Sequence, residues 1–100
     1  MGNGYKIFWT ENALKELHLI LKYLEEEWSE KEIINFFRKL DKRLNLISIN
    51  PRLYAKTEIK KNVRKSVLTK HNVIYYLFED EVIKILAMFD SRQNPDRLKL

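Results

Sequence analysis

The first half of the chain carries apolar residues at helical spacing. The first such stretch repeats at intervals of three and four residues, at Leu14, Leu17, Leu21, Leu24 and Trp28. This spacing predicts a helix with one apolar stripe. Thr10 suits its N-cap, because a threonine hydroxyl can accept a hydrogen bond from a free N–H of the first turn.

A second helix is predicted to begin almost at once. Ser29, followed three residues later by Glu32, fits a capping box. Asn50-Pro51 ends this helix, since proline disfavours helical backbone at the residue before it. Two helices with almost no linker predict a helical hairpin. The apolar stripe of the second helix is Ile33, Phe36, Phe37, Leu40, Leu44 and Ile47.

The rest of the chain has a strand pattern. Residues 5–9 form a short strand rich in aromatic and β-branched residues, and three further strands are predicted after a loop at 52–58. They lie within residues 59–69, at 73–78 and at 82–89, with a turn at 79–81. Short turns between successive strands indicate an antiparallel meander. The predicted fold class is α+β: an N-terminal strand, an α-helical hairpin and a three-stranded antiparallel meander, with the helices on one face of the sheet.

The two faces of this sheet carry different expectations. Arg64 points to one face of its strand and Lys65 to the other. We expect the face without helices to be more open, with Arg64 and its basic neighbours near it. Tyr75 and Tyr76 point to opposite faces, so one is expected to be buried and the other to face outward. The pattern leaves open which edge the first strand joins.

Composition narrows the possible functions. At 100 residues the chain predicts a single domain, with residues 1–4 disordered. The absence of cysteine excludes a disulfide framework and a thiolate metal site, and the two histidines are not spaced as a metal site. Both glycines lie in the first four residues, which excludes a P-loop, a dinucleotide fingerprint and a serine elbow. We expect no cofactor, no metal and no membrane association, and a cytoplasmic protein.

The excess positive charge comes from one stretch. The net charge is +5, and residues 51–70 alone hold seven basic residues against Glu58, a net of +6. One interpretation is a solvated, lysine-rich sheet edge. The other is a surface for an anionic partner, either nucleic acid or an acidic protein segment. The candidate binding residues are Lys56, Lys60, Lys61 and Lys70.

A smaller group of cations forms the candidate catalytic set. Arg64, Lys65 and His71 lie in the basic stretch or beside it, and Arg92 follows the last strand. If two adjacent strands bring Arg64 and Arg92 onto a common surface, the cluster could stabilise the charge that develops on a phosphodiester. His71 is a possible proton donor. The same cluster could instead hold an acidic protein segment, and the residues alone do not separate the two.

Three short motifs in a fixed order resemble the RelE/ParE superfamily of toxins from bacterial type II toxin–antitoxin systems, which includes plasmid stabilisation proteins. The resemblance covers residues 5–100. The motifs are Tyr5-Lys6-Ile7 to Ala13-Leu14, then Val63-Arg64-Lys65-Ser66 with His71-Asn72-Val73-Ile74-Tyr75-Tyr76, and Ile85-Leu86 to Asp90-Ser91-Arg92-Gln93-Asn94-Pro95.

The resemblance implies a toxin neutralised by a cognate antitoxin. ParE-like members poison DNA gyrase, and RelE-like members cleave mRNA on the ribosome without metal. Lys65 and Arg92 match cations of the nucleases, but this chain has Asn72 where they place an arginine and Asp90 where others carry histidine. Aspartate is ionised at neutral pH and cannot donate a proton there. The ending Arg92-Gln93-Asn94-Pro95 is closer to ParE.

The principal hypothesis is therefore a ParE-like toxin that acts on an intracellular target such as DNA gyrase. The alternatives are a metal-free mRNA endonuclease and a non-toxic nucleic-acid-binding module. With helices on one face only, the isolated chain is expected to expose apolar surface that an antitoxin covers.

Overall fold

The structure is a computed structural model that describes residues 4–100. The expectation of disorder over residues 1–4 falls, for residues 1–3, outside this range, and Gly4 forms a bend. The predicted class and element order are confirmed. The elements are β1 (Lys6–Trp9), α1 (Glu11–Glu27), α2 (Glu30–Ile49), β2 (Val63–Val67), β3 (Asn72–Glu79), β4 (Val82–Asp90) and a short 3-10 turn at Pro95–Arg97.

The sheet has the strand order β1-β4-β3-β2. β2, β3 and β4 form the predicted antiparallel meander. The sequence did not indicate where β1 lies: it pairs in parallel with the outer edge of β4, with Lys6 opposite Val82 and Trp9 opposite Ile85. The helical hairpin makes this possible, because it returns the chain across the sheet before β2 begins.

Both predicted helix starts are present. The Thr10 hydroxyl accepts a hydrogen bond from Ala13 N–H at 3.2 Å, and Ser29 and Glu32 form a complete capping box. α2 ends at Ile49 with Asn50 as its C-cap, immediately before Pro51. Local capping chemistry therefore fixes both ends of the hairpin.

The helices bury a stripe that differs from the predicted one. α1 faces the sheet with Ala13, Leu17, Ile20 and Leu24, whereas Leu14 is 42% exposed. The spacing is now four, three and four residues, because two of the predicted positions, Leu14 and Leu21, give way to the residues immediately before them. Ala13 is fully buried, because its small side chain lets the start of α1 lie close to β4.

α2 follows its prediction more closely. Phe36, Leu40 and Ile47 are buried, with Ile33 and Leu44 packed beside them, but Phe37 is 40% exposed. Adjacent positions on a helix are about 100° apart, so Phe36 and Phe37 cannot both face the sheet centre.

The second face of the sheet is open at its edges, where Phe8 and Val67 are each 55% exposed, but it is covered at its centre, contrary to the expectation. Val63, Val73, Tyr75, Ala87 and Phe89 are buried there, and the C-terminal residues Leu98 and Leu100 pack against them. Tyr75 and Tyr76 do point to opposite faces, but both are buried, so the expected outward tyrosine is absent. The chain after β4 therefore covers the centre of the face that the helices leave uncovered.

One extra residue sets the two faces of β4. Tyr75 pairs with Ala87 whereas Tyr76 pairs with Ile85, so Leu86 is a β-bulge. The bulge shifts the alternation of side chains, and Met88 therefore joins the helix-facing core while Ala87 faces the other side.

β4 extends beyond β1, and α1 supplies the missing hydrogen-bond partners. β1 ends opposite Ile85, so the outer edge of β4 has no strand partner after that point. Thr10 Oγ1 donates to Ile85 O at 2.8 Å and Asn12 Nδ2 donates to Leu86 O at 3.1 Å. Glu16 Oε1 accepts from Met88 N–H at 2.9 Å. We call these contacts the α1–β4 seam.

The seam gives a pH-dependent prediction through Glu16. Half-burial raises the pKa of this carboxyl, and the Met88 N–H and the Lys99 charge offset the rise only in part. The folded state therefore binds more protons than the unfolded state above the ordinary carboxyl pKa, and this contribution to stability falls as pH rises. Glu16→Gln keeps the acceptor oxygen and loses the charge. We expect a higher urea midpoint than the parent chain at pH 7, with the difference closing at pH 4 and below.

Glu11→Gln, an exposed change in the same first turns of α1, is the control and should bring no gain. A Glu16→Gln variant that is less stable at pH 7, with the deficit growing as pH rises, would show that the charge itself strengthens the seam.

Candidate functional site

A groove of about 1040 Å³ runs between α1 and the end of the sheet where β3 begins and β4 ends. α1 forms one wall. The opposite wall comes from residues 69–72 and from the chain that follows β4. We call it the α1–β4 groove, since the seam between these two elements forms its floor, with Asn12, Glu16 and Met88 in the lining.

The α1 wall is polar at its start, with Asn12, Lys15 and Glu16, and apolar from Leu19 onward. Leu19 is 59% exposed, Tyr23 44% and Trp28 40%. These residues lie beside the buried stripe, one turn or more apart, and face the groove. The sequence pattern predicts Trp28 in the buried stripe, and this prediction is wrong because the side chain faces the groove.

The opposite wall is cationic. It contains Lys70 and His71 from the β2–β3 connection and Arg92, Arg97 and Lys99 from the chain after β4. The acidic residues in the same lining are Glu16, Asp90 and Asp96. A groove with one apolar wall and one mainly basic wall suits an amphipathic, acidic ligand better than a small apolar one.

Local hydrogen bonds fix the loop that carries His71. Thr69 Oγ1 accepts from the backbone N–H groups of His71 and Asn72 at 3.3 and 3.0 Å. The N–H of Ser91 donates to the His71 carbonyl at 2.7 Å. His71 and the first residues after β4 are therefore held side by side, which the linear sequence did not show.

Arg92 is already paired inside the groove. Its Nε donates to Asp90 Oδ1 at 3.0 Å and its Nη2 donates to Asp90 Oδ2 at 2.7 Å. Its backbone N–H also donates to Oδ1, at 2.9 Å. The guanidinium carbon lies 5.4 Å from the ring centre of Tyr23, within cation–π range. The hydrogen bond from Arg92 lowers the pKa of Asp90, so this carboxyl stays ionised at neutral pH.

The structure brings together some of the candidate residues and separates others. Lys70, His71 and Arg92 line the same groove. Arg64 does not join them, because β3 lies between β2 and β4. The expectation that adjacent strands place Arg64 and Arg92 on a common surface is therefore wrong. The roles proposed for these residues stay predictions.

Arg64 instead holds the loop that follows α2. It shares the helix-facing side of β2 with Ser66, not the second face, and its Nη1 donates to Tyr54 O at 2.7 Å. Tyr76 Oη donates to Pro51 O at 2.7 Å in the same loop, and burial raises the pKa of Tyr76 to about 12. Both side chains therefore satisfy loop carbonyls.

The other cations of the basic stretch lie elsewhere. Lys65 is exposed on the second face of the sheet, while Lys56, Lys60 and Lys61 are exposed before β2. Lys60 Nζ donates to the main-chain oxygen of Leu100. The net charge of residues 51–70 is thus divided between the groove, the second face and this connecting loop.

Neither the apolar wall nor the role of Glu16 is evident from the pattern of the sequence. Leu19 and Tyr23 are spaced four residues apart but lie outside the predicted stripe, and that was the available signal. Among residues 4–100 no group of three or more potential metal ligands is found. In the same part of the chain, no helix has the length and hydrophobicity needed to span a membrane.

Comparisons with known proteins give a consistent result. Residues 7–95 match the family model described as the ParE toxin of the type II toxin–antitoxin system, parDE. The fold is similar to a chain of the chromosomal ParDE toxin–antitoxin system from P. aeruginosa, with a TM-score of 0.71 and 12% identity over 86% of this chain and 95% of that one.

A second similar fold is the YoeB dimer from Staphylococcus aureus, with a TM-score of 0.58 and 17% identity over 85% of this chain and 94% of that one. A third is the YoeB-YefM complex from Staphylococcus aureus, with a TM-score of 0.56 and 18% identity over the same shares, 85% and 94%. A comparison with curated protein sequences finds no significant match.

The position of Arg64 predicts a stability effect. Arg64→Ala should lower the free energy of unfolding by about 1–2 kcal/mol, because it removes hydrogen bonds to the loop carbonyls. Lys65→Ala, the exposed neighbour, should stay within about 0.5 kcal/mol of the parent chain. Urea denaturation of the two variants measures the difference, and equal midpoints would contradict the structural role of Arg64.

Proposed function

The chain belongs to the ParE toxin family of type II toxin–antitoxin systems, and from this premise we propose that it stops growth by binding DNA gyrase through the α1–β4 groove. A cognate antitoxin neutralises it by occupying the same groove. The observation that carries the proposal is the Asp90–Arg92 pair. It occupies the guanidinium of Arg92 and places an ionised carboxylate where RNA cleavage would need a proton donor.

Cleavage of RNA without metal requires free cations and a proton donor around the phosphate. The nucleases that this chain resembles place an arginine at the start of the central strand and, in some members, a histidine before the last arginine. Asn72 and Asp90 stand there instead, directly opposite each other in the β3–β4 pairing. The ionised Asp90 repels a phosphate and has no proton to donate, so both requirements are weakened at the same place.

The apolar wall supports a protein as the partner. Leu19, Tyr23 and Trp28 span about 13 Å of α1. Exposed aromatic and aliphatic side chains that lie together on a small protein are typical of protein–protein contacts. The cations opposite them add long-range attraction for an acidic surface.

An antitoxin partner fits the same features. The YoeB-YefM structure is a toxin–antitoxin complex, and the P. aeruginosa structure is of a chromosomal ParDE toxin–antitoxin system. For this chain we propose an antitoxin segment that lays apolar side chains on α1 and acidic ones against Lys70, Arg97 and Lys99. Such a segment would bury the apolar wall that the isolated chain exposes.

One arrangement favours mRNA cleavage as the second candidate. Lys70, His71 and Arg92 line one groove, and this set contains two cations and a possible acid. A nucleic-acid-binding module is the third candidate, supported by the exposed Lys56, Lys60 and Lys61.

A supercoiling assay with purified gyrase tests the proposal. The chain should inhibit supercoiling, and Leu19→Glu should weaken inhibition by about tenfold or more, because it places a charge on the proposed apolar contact. Leu53→Glu is the matched control, since Leu53 is 52% exposed but lies outside the groove lining, and it should inhibit like the parent chain.

Primer extension on a reporter mRNA after induction provides the second arm. Intact message in cells that stop growing agrees with the proposal. New 5′ ends in phase with codons, together with gyrase that is not inhibited, would refute the proposal and support mRNA cleavage instead. Equal inhibition by the two leucine variants would show that gyrase contacts a surface outside the groove.

A further inference from the structure

We infer that Asp90 biases the α1–β4 groove against nucleic acid: its carboxylate occupies the guanidinium of Arg92 and keeps that side chain from gripping a phosphate backbone. This inference rests on the proposed role of the groove as the binding site. It assigns to a residue of this chain a preference for protein over nucleic acid as the ligand.

The pairing uses the part of Arg92 that recognises phosphate best. Nε and one terminal nitrogen form the fork that binds two oxygens of a phosphate or a carboxylate in parallel. Both of these nitrogens donate to Asp90, at 3.0 and 2.7 Å. A phosphodiester that enters the groove must therefore displace a carboxylate that already has the preferred geometry.

The pair is held in place by more than its own charges. The Arg92 backbone N–H donates to the same Asp90 oxygen, which ties the carboxylate to the turn after β4. The guanidinium is stacked on Tyr23, so turning it toward a ligand would disturb that contact as well. Only 22% of the Asp90 side chain is exposed, compared with 48% for Arg92, so water competes weakly for the carboxylate.

The groove lining holds four cations besides Arg92, all of them exposed: Lys15, Lys70, Arg97 and Lys99. Each of the three lysines attracts an anion as a mobile point charge, and Arg97 is a second guanidinium that Asp90 does not occupy. They serve an acidic protein surface as well as a phosphate. With Arg92 neutralised by Asp90, the apolar wall of α1 carries the selectivity, and it favours protein side chains.

The chain offers a matched control for this inference. Asp96 also lines the groove, but it does not pair with Arg92: its backbone N–H donates a hydrogen bond to Asn94 Oδ1. Asp96→Asn therefore changes the net charge of the groove as much as Asp90→Asn does and leaves the Arg92 fork occupied. Any effect common to both variants is a general effect of charge.

The test is the binding of a fluorescently labelled, mixed-sequence single-stranded RNA of about one groove length, measured by anisotropy over a range of salt concentrations. Asp90→Asn should bind about tenfold more tightly than the parent chain at low salt, with a salt slope steeper by about 0.7, the value for one added phosphate contact on a single strand. Asp96→Asn should change affinity by no more than about twofold. Adding Arg92→Gln to Asp90→Asn should abolish the gain.

Three results would overturn the inference: no gain from Asp90→Asn, an equal gain from both asparagine variants, or a gain that survives Arg92→Gln. If Asp90→Asn does not fold, as judged by its thermal transition, Asp90→Ser replaces it, because serine can accept the Arg92 N–H but cannot fill the fork. The gyrase assay separates the two proposals. A chain that fails to inhibit gyrase but shows the expected RNA gain refutes the proposed target alone, and the converse refutes only the role of Asp90.

Discussion

The fold depends on which groups hydrogen-bond to the outer edge of β4 beyond the end of β1. β1 has only four residues and leaves the outer edge of β4 without a strand beyond Ile85. Buried backbone groups need partners, and Thr10, Asn12 and Glu16 of the first turns of α1 provide them. These contacts fix α1 along β4 and so set the direction in which Leu19 and Tyr23 project. The groove exists because a helix, rather than a strand, completes this edge.

The chain after β4 then serves both the core and the groove. Leu98 and Leu100 cover the second face of the sheet, while Arg97 and Lys99 between and beside them line the groove. A small protein has little interior to spare, and this segment adds apolar burial while it brings two cations into the site. The cationic wall and the second core are therefore coupled, and a change that loosens one should alter the other.

Much of the fold could be predicted because its signals are local. The capping residues Thr10 and Ser29 and the strand patterns depend on neighbours a few positions away. The edge that β1 joins and the bulge at Leu86 depend on contacts distant in sequence, and no local pattern encodes them. The burial of Tyr75 has the same cause, because it depends on residues 98–100 folding back over the sheet.

The candidate site, like the fold, could be predicted from the sequence only in part. Lys70 and Arg92 could be selected as cations, and His71 as a possible proton donor, from their type and place in the chain. The apolar wall could not be predicted in this way, because Leu19 and Tyr23 lie beside the predicted apolar stripe of α1 and not in it. Arg64 was misplaced because the order of the strands, which sets its distance from Arg92, is a property of the whole sheet. The pairing of Arg92 with Asp90, two residues away, depends on the irregular backbone after β4.

Contact of the protein target with the apolar wall of the α1–β4 groove can be measured by cross-linking. The most direct measurement places a photoreactive phenylalanine analogue at Tyr23, in the groove, or at Phe37, on the outer face of α2, and irradiates each chain with purified gyrase. The two side chains are exposed to similar extents, 44% and 40%. We expect a cross-linked toxin–gyrase product from position 23 and none from position 37. A product from position 37 alone, or equal products from both, would contradict this expectation.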